Sequence, residues 1–227
     1  MFDNELDADA VYLIWPFRNG NVRDCFTIRN CDARYCIPAN LTNDLLVDFS
    51  ILEYRSNLHF SDVSLIKVHV FSVLLNTKLS DPENKDRDWF GKFRSVHTWA
   101  RNVEFKEKEY LVFPIHGKNH YYLITYVHLF SALSGAWSKD TDDENIPYPC
   151  ILVFDSLKKH KGKYEEVFDN LNHYVIFEYM IQSFSMLDWC CGLVSKDVLL
   201  KRIKSIDIIL VACPQQPDVS LIYDNFV

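Results

Sequence analysis

The sequence predicts an α+β fold, and three observations carry that prediction. Helical patterns dominate the first half of the chain, after two short strand-like runs. Strand patterns gather in the second half. Segregation of this kind packs helices and sheet as separate layers on one core. Apolar residues make up 48% of the 227 positions and aromatics 15%, which supplies a core and excludes a disordered chain.

The elements follow in order. "VYLIWPF" (Val11 to Phe17) and part of "CFTIRNCDARY" read as short strands. "ANLTNDLLVDFSILEYRSN" reads as a helix: Asn40, Thr42 and Asn43 offer capping oxygens, and Asp44 suits the positive N-terminal end. Leu45, Leu46, Phe49 and Leu52 then share one face. "VHVFSVLLNTKL" and "DWFGKFRSVHTWARN" read as two further helices with "SDPENKDRD" between them. After Lys108 the texture changes. "EYLVFPI" and "HYYLITYV" flank the turn "HGKN", a hairpin pattern. "SKDTDDENIPYP" is an acidic loop, "CILVFDS" a third strand and "KYEEVFDNLNHYVIFEYMIQSF" a helix. The apolar run Ile206 to Ala212 reads as a final, buried strand.

Composition excludes several function classes. A formal charge of −7 argues against nonspecific binding to nucleic acid or to an anionic membrane, both of which need a basic face. No run approaches the roughly 20 apolar residues of a membrane span. The opening "MFDNELDADA" is too acidic and polar for a secretory signal. Seven cysteines, an odd number, fit reduced thiols and a nuclear or cytoplasmic protein. Cys25, Cys31 and Cys36 form no tight C-x-x-C pair, so a zinc site is not expected, and no cofactor is expected.

Three polar residues sit at strand ends: His120 opens one strand, Asp155 closes another, and Gln216 follows the last. A histidine moves protons near neutral pH. A carboxylate fixes its tautomer and stabilises the imidazolium. A glutamine amide can donate to an oxyanion. Each also has an ordinary reading, as a solvated histidine beside a turn, a capping aspartate, or a glutamine after a strand.

The ordered set resembles the SUMO-specific (sentrin-specific, ubiquitin-like-protein) cysteine proteases, in their branch with long inserted loops. The resemblance runs from Val11 to Gln216, and residues 217–227 fall outside it. It is carried by "TIRNCDARYCIPANLTNDLLVDFSILEY", "HVFSVLLNTKL", "VHTWARNVEFKEKEYLVFPIHGKNHYYLITYV", "PCILVFDSL" and "CPQQ". It implies one papain-like cysteine protease domain over residues 1–227. It also implies His120 as general base, Asp155 as its orienting carboxylate and Gln216 as the oxyanion-hole amide. SUMO or another ubiquitin-like modifier, with its conjugates, is the implied partner.

Two departures from the family pattern stand out. The family places its nucleophilic cysteine about six residues beyond the second glutamine of the PQQ element, at a helix start that favours the thiolate. Here that position holds Ile222, between Leu221 and Tyr223, and no cysteine follows Cys213. "DWCCG" (Asp188 to Gly192) looks like the family's Asp-Cys-Gly element but precedes the glutamines, so its use would need a permuted fold. The bulky aromatics that roof the family's substrate tunnel correspond to Leu41 and Tyr121, and leucine covers less. The last eleven residues, "PDVSLIYDNFV", are too few and too polar for the family's core nucleophile helix, so an apolar sheet face is expected to stay uncovered. Two functional readings follow. One is an isopeptidase whose thiol comes from a longer gene product. The other is a catalytically inactive relative that binds the modifier. A globular α+β protein with no related activity is the plain alternative.

Overall fold

The computed structural model describes residues 7–15, 26–36, 42–57, 67–81, 83, 89–117, 120–140, 143–156, 164–184 and 195–211. The chain divides into two compact units, Met1–Phe60 and Ser61–Val227.

In the first unit, β1 (Val11–Trp15) and β2 (Phe26–Arg29) pair antiparallel, with an irregularity between Val11 and Leu13. A helical turn α1 (Asn30–Ala33) follows, and then helix α2 (Asp44–Asn57), which packs on β2. Of the three capping candidates, the structure uses Asn43: its Oδ1 accepts from Leu46 N at 2.9 Å. Its Nδ2 donates to Asp32 Oδ1, tying the helix start to the preceding turn. Ile28 and Leu46 are buried between the elements.

Among the described residues, the second unit holds a five-stranded sheet in the order β3-β4-β5-β6-β7. Strand β3 (Val68–Val70) runs parallel to β4 (Tyr110–His116). Strands β4, β5 (Tyr121–Val127) and β6 (Cys150–Phe154) are successively antiparallel, and β7 (Asp207–Val211) returns parallel to β6. Pro114 lies in mid-β4 without interrupting the hairpin. Strand β3 ends opposite Val112, so that edge asks no donor of the proline.

Three expectations are corrected. "VHVFSVLLNTKL" is not one helix: Val68–Val70 forms β3, and only Leu74–Leu79 is helical (α3). The alternating β-branched valines fit a pleated ladder, and Phe71 N still reaches Val112 O at 2.9 Å. "DWFGKFRSVHTWARN" likewise breaks into α4 (Trp89–Arg94) and a 3-10 turn, His97–Trp99. The final strand is an edge strand, not a buried one: Ile208, Ile209 and Leu210 are 52%, 44% and 54% exposed.

Two helices lay outside the sequence reading, α5 (Leu129–Ser134) and, after α6 (Glu165–Ser183), α7 (Lys196–Lys204). Helix α7 carries a legible N-terminal signal: Ser195 Oγ accepts from Asp197 N. Its Arg202 donates to Leu133 O at 2.5 Å and lies against Gly135, whose φ of 81° favours glycine.

The core lies between the sheet and α6. The helix is buried almost all round from Leu171 to Met180, as befits a central helix, and Glu165 and Glu166 suit its N-terminal end. Tyr174 packs among Phe71, Phe93, Phe105 and Phe113, and Tyr126 donates to Asn172 Oδ1 at 2.8 Å. Strand β5 buries Tyr122, Ile124 and Tyr126, and β6 buries Ile151 and Val153. That alternation fixes which face the residues just beyond each strand present.

Candidate active site

His120 stands one residue before β5, and Asp155 one residue after β6. The strands are antiparallel neighbours with Leu123 opposite Phe154, so both residues lie at the same end of the sheet. His120 is two residues from buried Tyr122, and Asp155 two from buried Val153, which puts both on the helix-covered face. Their side chains meet there: Nε2 of His120 lies 3.3 Å from Oδ1 of Asp155. Asp155 is buried, while the His120 side chain keeps 15% exposure and so stays reachable.

Two tyrosines enclose the pair. The Tyr164 phenol donates to Asp155 Oδ2 at 2.5 Å. The Tyr122 ring stacks on His120 at 5.6 Å between centroids and meets Tyr164 edge-on at 5.5 Å. Burial, and then the charge of Asp155, push the Tyr122 phenol up to about 12. Burial, followed by the hydrogen bond to Asp155, also holds the Tyr164 phenol above its ordinary value. Both phenols therefore remain neutral at physiological pH, and Tyr164 keeps the proton it donates to Asp155. Sequence reading missed both residues. Tyr122 was findable from strand alternation, two residues from His120. Nothing marked Tyr164.

Nε2 faces Oδ1 of Asp155 at ion-pair distance; with its proton on Nε2, a neutral imidazole has its lone pair on Nδ1. That arrangement can take a proton from a group presented at Nδ1. Gly117 crowds this side of the ring. Its N–H donates to His120 O at 2.8 Å, and a Cβ there would lie 2.9 Å from Cε1 and 3.1 Å from Nδ1. From Gly117 a cleft of about 720 Å³ extends past His116, Trp99 and Leu74. Trp99 is 46% exposed along it.

The remaining predicted residues divide by location. Tyr121 stacks on His116 at 4.7 Å. Leu41, Gln216, Ile222 and the "DWCCG" segment lie outside the described residues. In the second unit the described free cysteine is Cys150. It begins β6, whereas Asp155 follows the end of that strand, which separates them by roughly 16 Å at about 3.3 Å per residue. Burial, then the charge of Asp207, raise the Cys150 thiol above its ordinary value. Cys150 is therefore no partner for His120. No described helix is long and apolar enough to cross a membrane.

A model of the Ulp1 protease family's C-terminal catalytic domain matches residues 40–218. The chain belongs to the Ulp1 protease family. The matched stretch includes His120, Asp155 and Gln216. The chain is 28% identical over 149 residues to a probable ubiquitin-like-specific protease 2A of Arabidopsis thaliana, covering 64% of the chain and 18% of that relative. A solved de-sumoylating protease superposes with a TM-score of 0.56 at 24% identity, over 92% of this chain and 66% of that one. The C-terminal Ulp1 protease domain in complex with Smt3, the yeast ortholog of SUMO, gives a TM-score of 0.51 at 17% identity, over 86% and 66%. This Ulp1-family chain thus spans about two thirds of those solved domains and under a fifth of its curated relative. The likeness to the solved structures shows the α+β fold of the Ulp1 catalytic domain.

Proposed function

We propose that this chain is a SUMO-type modifier protease by descent that recognises a ubiquitin-like modifier and, as these 227 residues stand, does not cleave its conjugates. In this reading His120 is the general base, Asp155 orients it, and Gln216 supplies the oxyanion donor. By resemblance, Leu41 and Tyr121 hold the positions of the aromatics that roof the family's substrate tunnel. The observation that carries the reading is the 3.3 Å approach of His120 Nε2 to Asp155 Oδ1 beside an open cleft, within a chain of the Ulp1 family. Thiol catalysis proceeds through an acyl-enzyme and requires a thiolate at the base. Position 222 holds isoleucine, and Cys150 lies at the far end of its strand.

A SUMO probe with a thiol-reactive C-terminal warhead tests both halves. The expected result is saturable binding of unmodified SUMO, no covalent labelling, and no cleavage of conjugates. Absence of binding by SUMO and by NEDD8 would remove the recognition half. Labelling that disappears in Cys191→Ala would identify "DWCCG" as the nucleophile and overturn the other half. The retained His120–Asp155 contact favours a second reading, in which a longer product of the same gene supplies the cysteine, because a pure binder has no use for an oriented base. Sequencing the transcript beyond codon 216 decides it: an in-frame Asp-Cys-Gly element is the expected finding under that reading.

A further inference from the structure

We infer that Tyr164 is a positioning residue for the acid–base pair, fixing the Asp155 carboxylate so that Oδ1 faces His120. The inference rests on the reading of His120 and Asp155 as that pair. A carboxyl group rotates easily about its last bond, because that torsion is broad. Asp155 sits just past the end of β6, beyond the ladder. The Tyr164 phenol occupies Oδ2 at 2.5 Å and holds it.

Tyr164 is itself anchored. It is the N-terminal flanking residue of α6, and its carbonyl accepts from Phe168 N at 2.8 Å. Its ring is 9% exposed and packs edge-on against both Tyr122 and Phe168. The phenol cannot leave Oδ2 without giving up this ring packing. Helix α6 thereby bears on the direction of the imidazole through the Tyr164 side chain. The plain alternative is a core tyrosine that uses Asp155 only to satisfy its own hydroxyl.

The alternatives separate by NMR of the full chain. An imidazole N–H held on a carboxylate gives a protected, downfield proton. The expected pattern is a downfield His120 Nε2–H signal in the parent protein, lost in both Asp155→Asn and Tyr164→Phe. Tyr164→Phe keeps the ring and its packing, so a signal that persists there overturns the proposal. A signal that persists in Asp155→Asn instead shows that the His120–Asp155 pair is not formed, and the functional reading fails with it. Fluorinated tyrosine placed at 164 covers the case in which the phenylalanine variant does not fold. The more acidic phenol draws charge from the carboxylate and should move the His120 signal upfield. An unmoved signal overturns the proposal. Modifier binding is irrelevant to either readout.

Discussion

Glu178→Gln should stabilise the protein at neutral pH, because the carboxylate it removes is buried. Glu178 is 1% exposed in the middle of α6. Burial pushes its carboxyl up to about 7 from an ordinary 4.5. A carboxyl raised in the folded state binds a proton there that the unfolded chain has already released. Stability therefore falls as pH rises from about 4.5 to about 7 and then levels off. The loss is about 3 kcal/mol, since each pKa unit is worth about 1.4 kcal/mol. Glutamine keeps the shape and carries no charge to desolvate. Urea unfolding at pH 5 and pH 8 should show the variant's advantage opening by about 2.5 kcal/mol, or roughly 5–10 °C in Tm for a unit of this size. Nδ1 of His97 faces the carboxylate at 3.7 Å, and repeating the pair in a His97→Phe background separates its share. Parallel curves for parent and variant, or a parent that gains on the variant with rising pH, would refute the reasoning.

Two further outcomes follow from contacts already described. Gly117→Ala puts a methyl within 2.9 Å of His120 Cε1, so it should cost about 1–3 kcal/mol in urea unfolding and shift the His120 ring resonances. An unmoved ring would show that the loop relaxes instead. Ile209→Lys on the exposed face of β7 should raise the concentration at which the chain stays monodisperse by light scattering, with little change in Tm, because a charged edge discourages strand addition. Unchanged self-association would place the sticky surface elsewhere.

What the sequence made legible has a physical pattern. The β4–β5 hairpin was readable because its signal is local: period-two alternation, β-branched residues and a glycine turn within one window. Strand β3 was not. Its three residues become a strand only when β4, some forty positions later, offers a ladder, and the run by itself suits a helix equally well. Strand β7 was read as buried because its residues are apolar. Exposure depends on position in the sheet order, which no local pattern encodes. His120 and Asp155 were legible through an ordered series of motifs, whereas spacing alone left them ambiguous. Tyr164 was silent because an aromatic residue before an acidic helix start reads as core. Its role depends on a strand end nine positions earlier in the chain.

The parallel pairing of β7 also orders events in time. Strands β4 and β5 close across a gap of a few residues, and β6 joins after one further helix and a loop. Strand β7 must wait until about fifty residues, with α6 and α7, have folded back across the sheet. A nascent chain would thus hold His120 in its turn first, receive Asp155 next and lock that carboxylate when α6 arrives. The edge strand would dock last. In that order the base would be assembled before the sheet is finished, and a chain caught before β7 docks would carry a formed His–Asp pair and an unsealed β6 edge. That edge is the one on which a nearby chain can act before β7 does.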